Sequence, residues 1–187
     1  MRRKTLSTGP GSRPAVALLA ARGCVALLLL LLSLAAPARS AAGRGEALDP
    51  PLAASFDLPT RTGTVALEAL RAKVVLVDFW ASWCGPCRQS FPWLSTMSER
   101  YAAGGLVVVA INLDKDRALA EAFLREFSPP FIVAFDPQGK SAEAFDVQAM
   151  PSSYLVSRAG RLVYSHAGFD RRDADTIENR IKEEVSK

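Results

Sequence analysis

Cys84 and Cys87 are the residues of this chain whose type and spacing most directly indicate chemistry. Pro86 lies between them, and proline is favoured at the start of a helix because the backbone N–H there needs no partner within the helix. We therefore expect the pair at the amino end of a helix, where unpaired N–H groups and the helix dipole favour a thiolate at Cys84. Cys87, one turn further along, could attack a sulfur already bonded to Cys84 and close a disulfide. Cys84 is thus the predicted nucleophile and Cys87 the predicted resolving cysteine.

Two other uses of the cysteine pair fit the sequence less well. A structural zinc site needs four ligands, whereas beyond the first 40 residues the chain offers only His166 in addition to the two cysteines. A purely structural disulfide would close a loop too short to remove much entropy from the unfolded chain. We therefore predict a redox-active disulfide between Cys84 and Cys87, with no metal and no cofactor.

The elements on either side of the pair would position it. Residues 73–77 form an apolar run rich in β-branched side chains, which predicts a strand buried on both faces and leading into the pair. After the pair, apolar side chains recur at helical spacing. They are Cys87, Phe91, Leu94, Met97 and Tyr101.

The rest of the chain predicts a mixed sheet flanked by helices, an α/β fold. Short strands are expected at 56–59, 63–67, 106–111, 131–135, 153–157 and 161–165. Helices are expected at 114–127, with Leu119, Phe123, Leu124 and Phe127 facing inward, at 140–145, and after Asp170, which would cap the last helix together with Asp173.

The first 38 residues have the pattern of an export signal. A basic segment is followed by an apolar stretch from 15 to 36, which Arg22 interrupts. The segment is either a signal peptide, cleaved after Ala38 or Ser40, or an uncleaved membrane anchor, since the whole stretch is long enough to span a bilayer. Residues 39–53 would be a linker and residues 54–187 the globular domain.

Charge and cysteine content point away from nucleic acid. Six of the 23 basic residues and none of the 19 acidic ones lie in residues 1–40, so the remainder is slightly acidic and lacks a nucleic-acid footprint. The third cysteine, Cys24, also lies in the leader. An exported protein left with one closely spaced pair is expected to act on the disulfides of other proteins.

The sequence from Phe79 to Cys87, with Trp83-Cys84-Gly85-Pro86-Cys87 at its end, resembles a thioredoxin active site. Together with the leader and the segment before the first buried strand, it is similar to the TlpA/ResA-like family of exported thiol-disulfide oxidoreductases. The resemblance covers about residues 54–187. It implies a thioredoxin-like fold with an N-terminal β-hairpin and an inserted strand-helix element at residues 131–145.

Asp78 is an acid within an otherwise apolar strand, which is unfavourable unless the group is protonated, paired or functional. The resemblance implies that Asp78 lies under the cysteine pair and helps to move the proton of the resolving thiol. The lysine that thioredoxins place near this acid is replaced here by Ala110, so Asp78 could be neutral near pH 7. The alternative is an acid that only makes hydrogen bonds at the strand end.

The resemblance also implies three substrate-binding residues. Pro151 would follow a cis peptide bond beside the cysteines, where a substrate could lie as an added strand; the alternative is an ordinary trans proline in a turn. Met150 would contact the substrate or the thiols, or simply fill the core. Trp83 would cover the disulfide, or be a partly exposed aromatic residue at the start of the helix.

These observations predict an exported, periplasmic protein-disulfide reductant. Its partners would be a disulfide-containing protein substrate and, as the resemblance implies, a membrane thiol reductase of the DsbD/CcdA kind as electron donor. Cysteines of apocytochrome c or of a copper-site protein are the substrates that the resemblance implies. The alternatives are a dithiol oxidase or isomerase and, with less support from the sequence, a metal-binding chaperone.

Overall fold

The computed structural model describes residues 49–187. The expected signal peptide or anchor, and the linker up to residue 48, lie outside this range. Within it, no helix has both the length and the apolar character that crossing a membrane would require.

An antiparallel hairpin precedes the main sheet. Strand β1 spans Asp57–Pro59 and β2 spans Thr64–Ala66, and a single 3-10 turn follows at Leu67–Leu70. Phe56, Val65 and Leu67 are buried and pack the hairpin against one face of the main sheet. The N-terminal hairpin expected from the resemblance is therefore confirmed.

Five strands form the main sheet. They are β3 (Val74–Trp80), β4 (Leu106–Asn112), β5 (Ile132–Phe135), β6 (Ser152–Val156) and β7 (Leu162–Ala167). Their order is β5-β4-β3-β6-β7, with β3, β4 and β5 parallel and β6 and β7 antiparallel to their neighbours. The buried strand β3 thus lies at the centre, and the parallel strands end at the same edge of the sheet.

Four α-helices within residues 49–187 complete the fold. They are α1 (Gly85–Tyr101), α2 (Arg117–Phe127), α3 (Lys140–Ala144) and α4 (Arg171–Val185). Side chains of α1, α2 and α4 share one hydrophobic cluster with one sheet face, whereas Phe145 after α3 packs with the hairpin on the other face. The predicted mixed sheet with flanking helices, and the strand-helix element of β5 and α3, are confirmed.

Helix α2 differs from the expectation in two ways. It begins at Arg117, because the carboxylate of Asp116 accepts the N–H of Ala118 and caps the helix there; Asp114 lies before it. Leu119 is 53% exposed, so its predicted inward orientation was wrong. The buried residues of α2 are Ala120, Phe123 and Leu124, and this set leaves Leu119 on the solvent side.

Candidate active site

The cysteine pair joins the end of β3 to the start of α1. Cys84 is the residue that caps the helix, and its Sγ accepts the backbone N–H of Cys87 at 3.2 Å. The two residues form a disulfide with an S–S distance of 2.00 Å and a Cα–Cα distance of 5.3 Å. Cys87 is completely buried and Cys84 is 4% exposed. The pair therefore lies where the sequence put it, at the amino end of a helix above a buried strand.

Trp83 lies directly before the pair and is 69% exposed. Most of its indole surface is thus in contact with solvent, next to the residue expected to attack the substrate. Trp80, at the end of β3, is instead fully buried and packs edge-on against Phe91 of α1, with ring centroids 4.8 Å apart. Trp80 therefore packs under the helix, whereas Trp83 is exposed at its start.

Asp78 lies on the face of β3 that packs against α1, and it is 1% exposed. Its Oδ2 accepts a hydrogen bond from the hydroxyl of Ser153 at 2.7 Å, while Oδ1 has no hydrogen-bond partner among residues 49–187. Ala110 is its register partner on β4, so no cation from that position reaches the carboxyl. Burial raises the pKa of Asp78 to about 7, and the Ser153 hydroxyl opposes this rise only in part.

The peptide bond between Met150 and Pro151 is cis, as the resemblance implied. Pro151 directly precedes β6, whose residues Ser152 and Ser153 pair with Phe79 and Asp78 of β3. The carbonyl of Pro151 accepts the N–H of Gly168 at 2.7 Å, and Met150 packs against the cluster that contains both cysteines. Met150 and Pro151 therefore lie at the same end of the sheet as the cysteine pair.

Ser153 and a small polar cluster were not found by sequence reasoning. The cluster consists of Ser82, in the loop before Trp83, and of Asn112 and Asp114 at the end of β4, all joined by hydrogen bonds. The signal that could have found it is the pair of polar residues directly after a buried parallel strand, since such strand ends share one edge with β3.

His166, the only histidine of the chain, lies on β7. Its Nε2 is 3.3 Å from Oδ1 of Asp173 in α4, and Ser153 is its register partner on β6. We assign it no catalytic role. Within residues 49–187, no three His, Cys, Asp or Glu side chains come together as a metal-binding group.

A model of the Redoxin family matches residues 44–181, about three quarters of the chain. The chain belongs to the Redoxin family. Among curated relatives, it is 27% identical over 99 residues to the thiol-disulfide oxidoreductase ResA of Bacillus subtilis (53% of this chain and 55% of that protein). It is 40% identical over 113 residues to the thiol:disulfide interchange protein DsbE homolog of Paracoccus denitrificans (58% and 60%). The chain thus spans little more than half the length of these relatives.

Solved structures similar to this chain include further thiol:disulfide interchange proteins. A protein from Chlorobium tepidum, assigned as a thiol:disulfide interchange protein DsbE, is 43% identical with a TM-score of 0.72, and the match covers 73% of this chain and 97% of that one. StoA of Bacillus subtilis, at 20% identity and a TM-score of 0.59, shares the fold. The resemblance to TlpA/ResA-like proteins is therefore confirmed.

Proposed function

We propose that this protein is a thiol-disulfide oxidoreductase that reduces disulfides of other proteins through a dithiol-disulfide cycle of Cys84 and Cys87. The observation that carries the proposal is the disulfide between these residues at the amino end of α1. The buried carboxyl of Asp78, on the face of β3 that packs against this helix, supports it. The names of the two curated relatives, a thiol-disulfide oxidoreductase and a thiol:disulfide interchange protein, support it.

In the first step, the Cys84 thiolate attacks one sulfur of a substrate disulfide. A bond forms between Cys84 Sγ and that sulfur, the substrate S–S bond breaks, and the departing thiolate takes up a proton. The backbone N–H of Cys87, which points at Cys84 Sγ, would stabilise the attacking thiolate. The product is a mixed disulfide between the substrate and Cys84.

In the second step, Cys87 loses its proton and attacks Cys84 Sγ. The Cys84–Cys87 disulfide forms, the mixed disulfide breaks, and the substrate leaves with both of its thiols reduced. Asp78 is the proposed acceptor of the Cys87 proton, because a pKa of about 7 allows a carboxyl group both to take up and to release a proton near neutral pH. Ser153 would hold the carboxyl in place.

Trp83, Met150 and Pro151 are the proposed substrate contacts. The exposed indole of Trp83 offers apolar surface to a bound peptide. Pro151 and Met150 lie at the same end of the sheet, so an extended substrate segment could contact all three residues while its disulfide reaches Cys84.

Reduction is the proposed direction because Gly85-Pro86 between the cysteines matches thioredoxin, for which the potential is about −270 mV, against about −120 mV for the oxidant DsbA. The basic and apolar pattern of residues 1–38 supports export to the periplasm, with or without membrane anchoring. A membrane thiol reductase of the DsbD/CcdA kind would then return the pair to the dithiol. Cysteines of apocytochrome c or of a copper-site protein are the proposed substrates.

The proposal is tested by measuring the reduction potential and by trapping the substrate. We expect the full-length protein to equilibrate near the thioredoxin value and to reduce insulin, and we expect Cys87→Ser to accumulate a mixed disulfide at Cys84. The double variant Cys84→Ser/Cys87→Ser, which retains only Cys24, should trap nothing. A potential near that of DsbA would instead favour the dithiol oxidase, and failure of Cys84 to react faster than free cysteine with iodoacetamide at neutral pH would contradict the mechanism.

A further inference from the structure

The loop between β3 and α1 carries Ser82, Trp83 and Cys84, and it is tied to the end of β4 by side-chain bonds. The backbone N–H of Ser82 donates to Oδ2 of Asp114 at 2.8 Å, and its hydroxyl donates to Oδ1 of the same carboxylate at 2.9 Å. Both hydrogen-bond donors of Ser82 are therefore held by one residue that is distant in the sequence.

Asp114 is itself fixed in place. It is 5% exposed, and its Oδ2 also accepts the side-chain amide of Asn112 at 2.7 Å. Asn112 in turn accepts the backbone N–H of Asp114 through Oδ1 at 3.1 Å. A carboxylate that is buried must be compensated by donors, and three donors meet this one. The pair of Asn112 and Asp114 is thus a rigid anchor at the sheet edge.

We propose that Asp114 is a positioning residue for disulfide exchange, which holds Ser82 and thereby fixes where Cys84 Sγ lies relative to the start of α1 and to Cys87. This inference rests on the proposed function. The loop has few other ties: Leu113 N–H donates to the carbonyl of Trp80 at 2.9 Å, and Cys84 N–H donates to the carbonyl of Ala81 at 3.1 Å. Without the Asp114 bonds, nothing else among these contacts holds Ser82.

The expected consequence is kinetic. Closure of the disulfide needs Cys87 to meet Cys84 Sγ while Cys84 is bonded to a partner, so its rate depends on how well the two residues are held together. A loop that can shift at Ser82 moves Cys84 over more positions, and fewer of them allow the attack. Asp114 would therefore speed closure although it contacts neither sulfur in the hydrogen-bond network.

The chain contains a matched control. At the end of β5, Oδ2 of the buried Asp136 accepts the backbone N–H and the hydroxyl of Ser141, at 2.7 and 2.6 Å. As between Asp114 and Ser82, a carboxylate accepts the backbone N–H and the hydroxyl of one serine. Here, however, the bonds hold the start of α3 at the end of β5, and β4 lies between β5 and β3. Removing either carboxylate should lower stability; only removal of Asp114 should affect the cysteines.

The substitution Asp114→Asn removes the negative charge but keeps groups that can form hydrogen bonds, so it distinguishes the two effects. In Asp114→Asn, the amide oxygen could accept the bonds from Ser82 N–H and Asn112, and the amide NH₂ could donate to the Ser82 hydroxyl, which can also act as an acceptor. Asp114→Ala removes all three bonds. Ser82→Ala removes only the bond from the hydroxyl, so its effect should be smaller.

The test uses full-length reduced protein and dithiobis(nitrobenzoate), with Cys24→Ser in every protein compared, including the wild-type reference, so that only Cys84 and Cys87 react. Attack by Cys84 releases one thionitrobenzoate, and attack by Cys87 on the resulting mixed disulfide releases the second, so the second phase reports closure. We expect Asp114→Ala to slow this phase by about tenfold or more, because small displacements of reacting groups can cost up to about a hundredfold. Asp114→Asn should stay within about threefold of wild type, and Ser82→Ala should fall between the two.

Three results would overturn the proposal: closure in Asp114→Ala at the wild-type rate, a matching loss in Asp136→Ala, or a failure of Asp114→Asn to recover the rate. If Asp114→Ala does not fold, Ser82→Ala decides, and closure at the wild-type rate in that variant overturns the proposal. Failure of the proposed dithiol-disulfide cycle is distinguishable, since the wild-type reference itself would then show no second phase whose rate is independent of the reagent concentration. A loss confined to Asp114→Ala and Ser82→Ala supports the proposal.

Discussion

Asp78 shows how one residue acquires its properties from its neighbours. A carboxyl group at the centre of an apolar sheet loses its hydration, and this raises its pKa to about 7. One hydroxyl, that of Ser153, is the partner supplied to it, and Ala110 on the neighbouring strand supplies none. The group is thus kept close to its titration point at neutral pH. That suits a proton acceptor, and it also has a cost in stability.

Because ionising the buried Asp78 is unfavourable, we expect the free energy of unfolding to depend on pH, and we expect Asp78→Asn to remove that dependence. Below pH 3.8, the ordinary pKa of an aspartate in the unfolded chain, both folded and unfolded states bind the proton, so the contribution of Asp78 to stability is fully present. Between that pH and about 7 the unfolded state ionises first, and folding stability falls with rising pH by up to about 4 kcal/mol in total. Denaturant unfolding of the oxidised protein across this range should show that the free energy of unfolding of Asp78→Asn increases relative to that of wild type as pH rises.

The exposed acid Asp175 of α4 provides the control for this series. Asp175→Asn should follow the pH profile of wild type, because that side chain is already in water. A constant difference between Asp78→Asn and wild type at every pH would mean that folding does not raise the pKa of Asp78, and it would remove the basis for its role as proton acceptor.

At the scale of elements, α2 shows which side of an amphipathic helix faces the core. Asp116 caps the helix, so the first turn starts at Arg117, and the apolar side formed by Ala120, Phe123 and Leu124 faces the core. Phe123 then stacks against Phe127 and approaches Trp80 and Phe91, beneath the cysteine helix. The support of α1 therefore depends on the side of α2 that carries Leu124, not on Leu119.

Two leucines of α2 allow this orientation to be tested. Leu124→Ala should lower the free energy of unfolding by about 2–5 kcal/mol, the range for a buried leucine that leaves a cavity. Leu119→Ala on the exposed side should change it by no more than about 0.5 kcal/mol. Urea unfolding of the two variants is the measurement, and equal losses would show that the orientation of the helix is wrong.

At the scale of the whole molecule, the cysteine pair and the side chain of Arg158 lie at opposite ends of the main sheet. The cysteine pair lies where β3 ends, and Arg158 lies at the opposite end, just after β6, which runs antiparallel to β3. Its guanidinium donates to the carbonyls of Gly104 at 2.9 Å, Glu184 at 3.1 Å and Val185 at 3.4 Å. One side chain thus joins the loop before β4 to the end of α4.

This separation predicts that Arg158→Ala affects stability but not redox chemistry. The loss should be about 1–3 kcal/mol, because several backbone carbonyls lose a charged donor. The reduction potential should equal that of wild type, since the change lies at the far end of the sheet. Arg180→Ala, which removes an exposed ion pair with Glu183 and a contact with the ring of Tyr164, should lower stability by no more than about 1 kcal/mol and leave the potential unchanged. A shifted potential in Arg158→Ala would show that the two ends are coupled.

The sequence by itself determined the features that depend on neighbouring residues. The apolar run before Cys84, the proline after it and the spacing of Phe91, Leu94 and Met97 gave β3 and α1, because strand burial, helix starts and helical periodicity are local properties. The box formed by Asp170 and Asp173 at the start of α4 was predictable for the same reason.

Only the tertiary structure decided which distant side chains meet. The bonds from Ser82 to Asp114 and from Ser153 to Asp78 join residues 32 and 75 positions apart, and they exist because of the order and register of the strands. No local pattern encodes that order. The polar residues at the end of β4 mark a sheet edge in the sequence, but that Asp114 bonds to Ser82 and that Ser153 bonds to Asp78 could not be read from the chain. Burial, and with it the pKa of Asp78, is set by the same packing of sheet against helix.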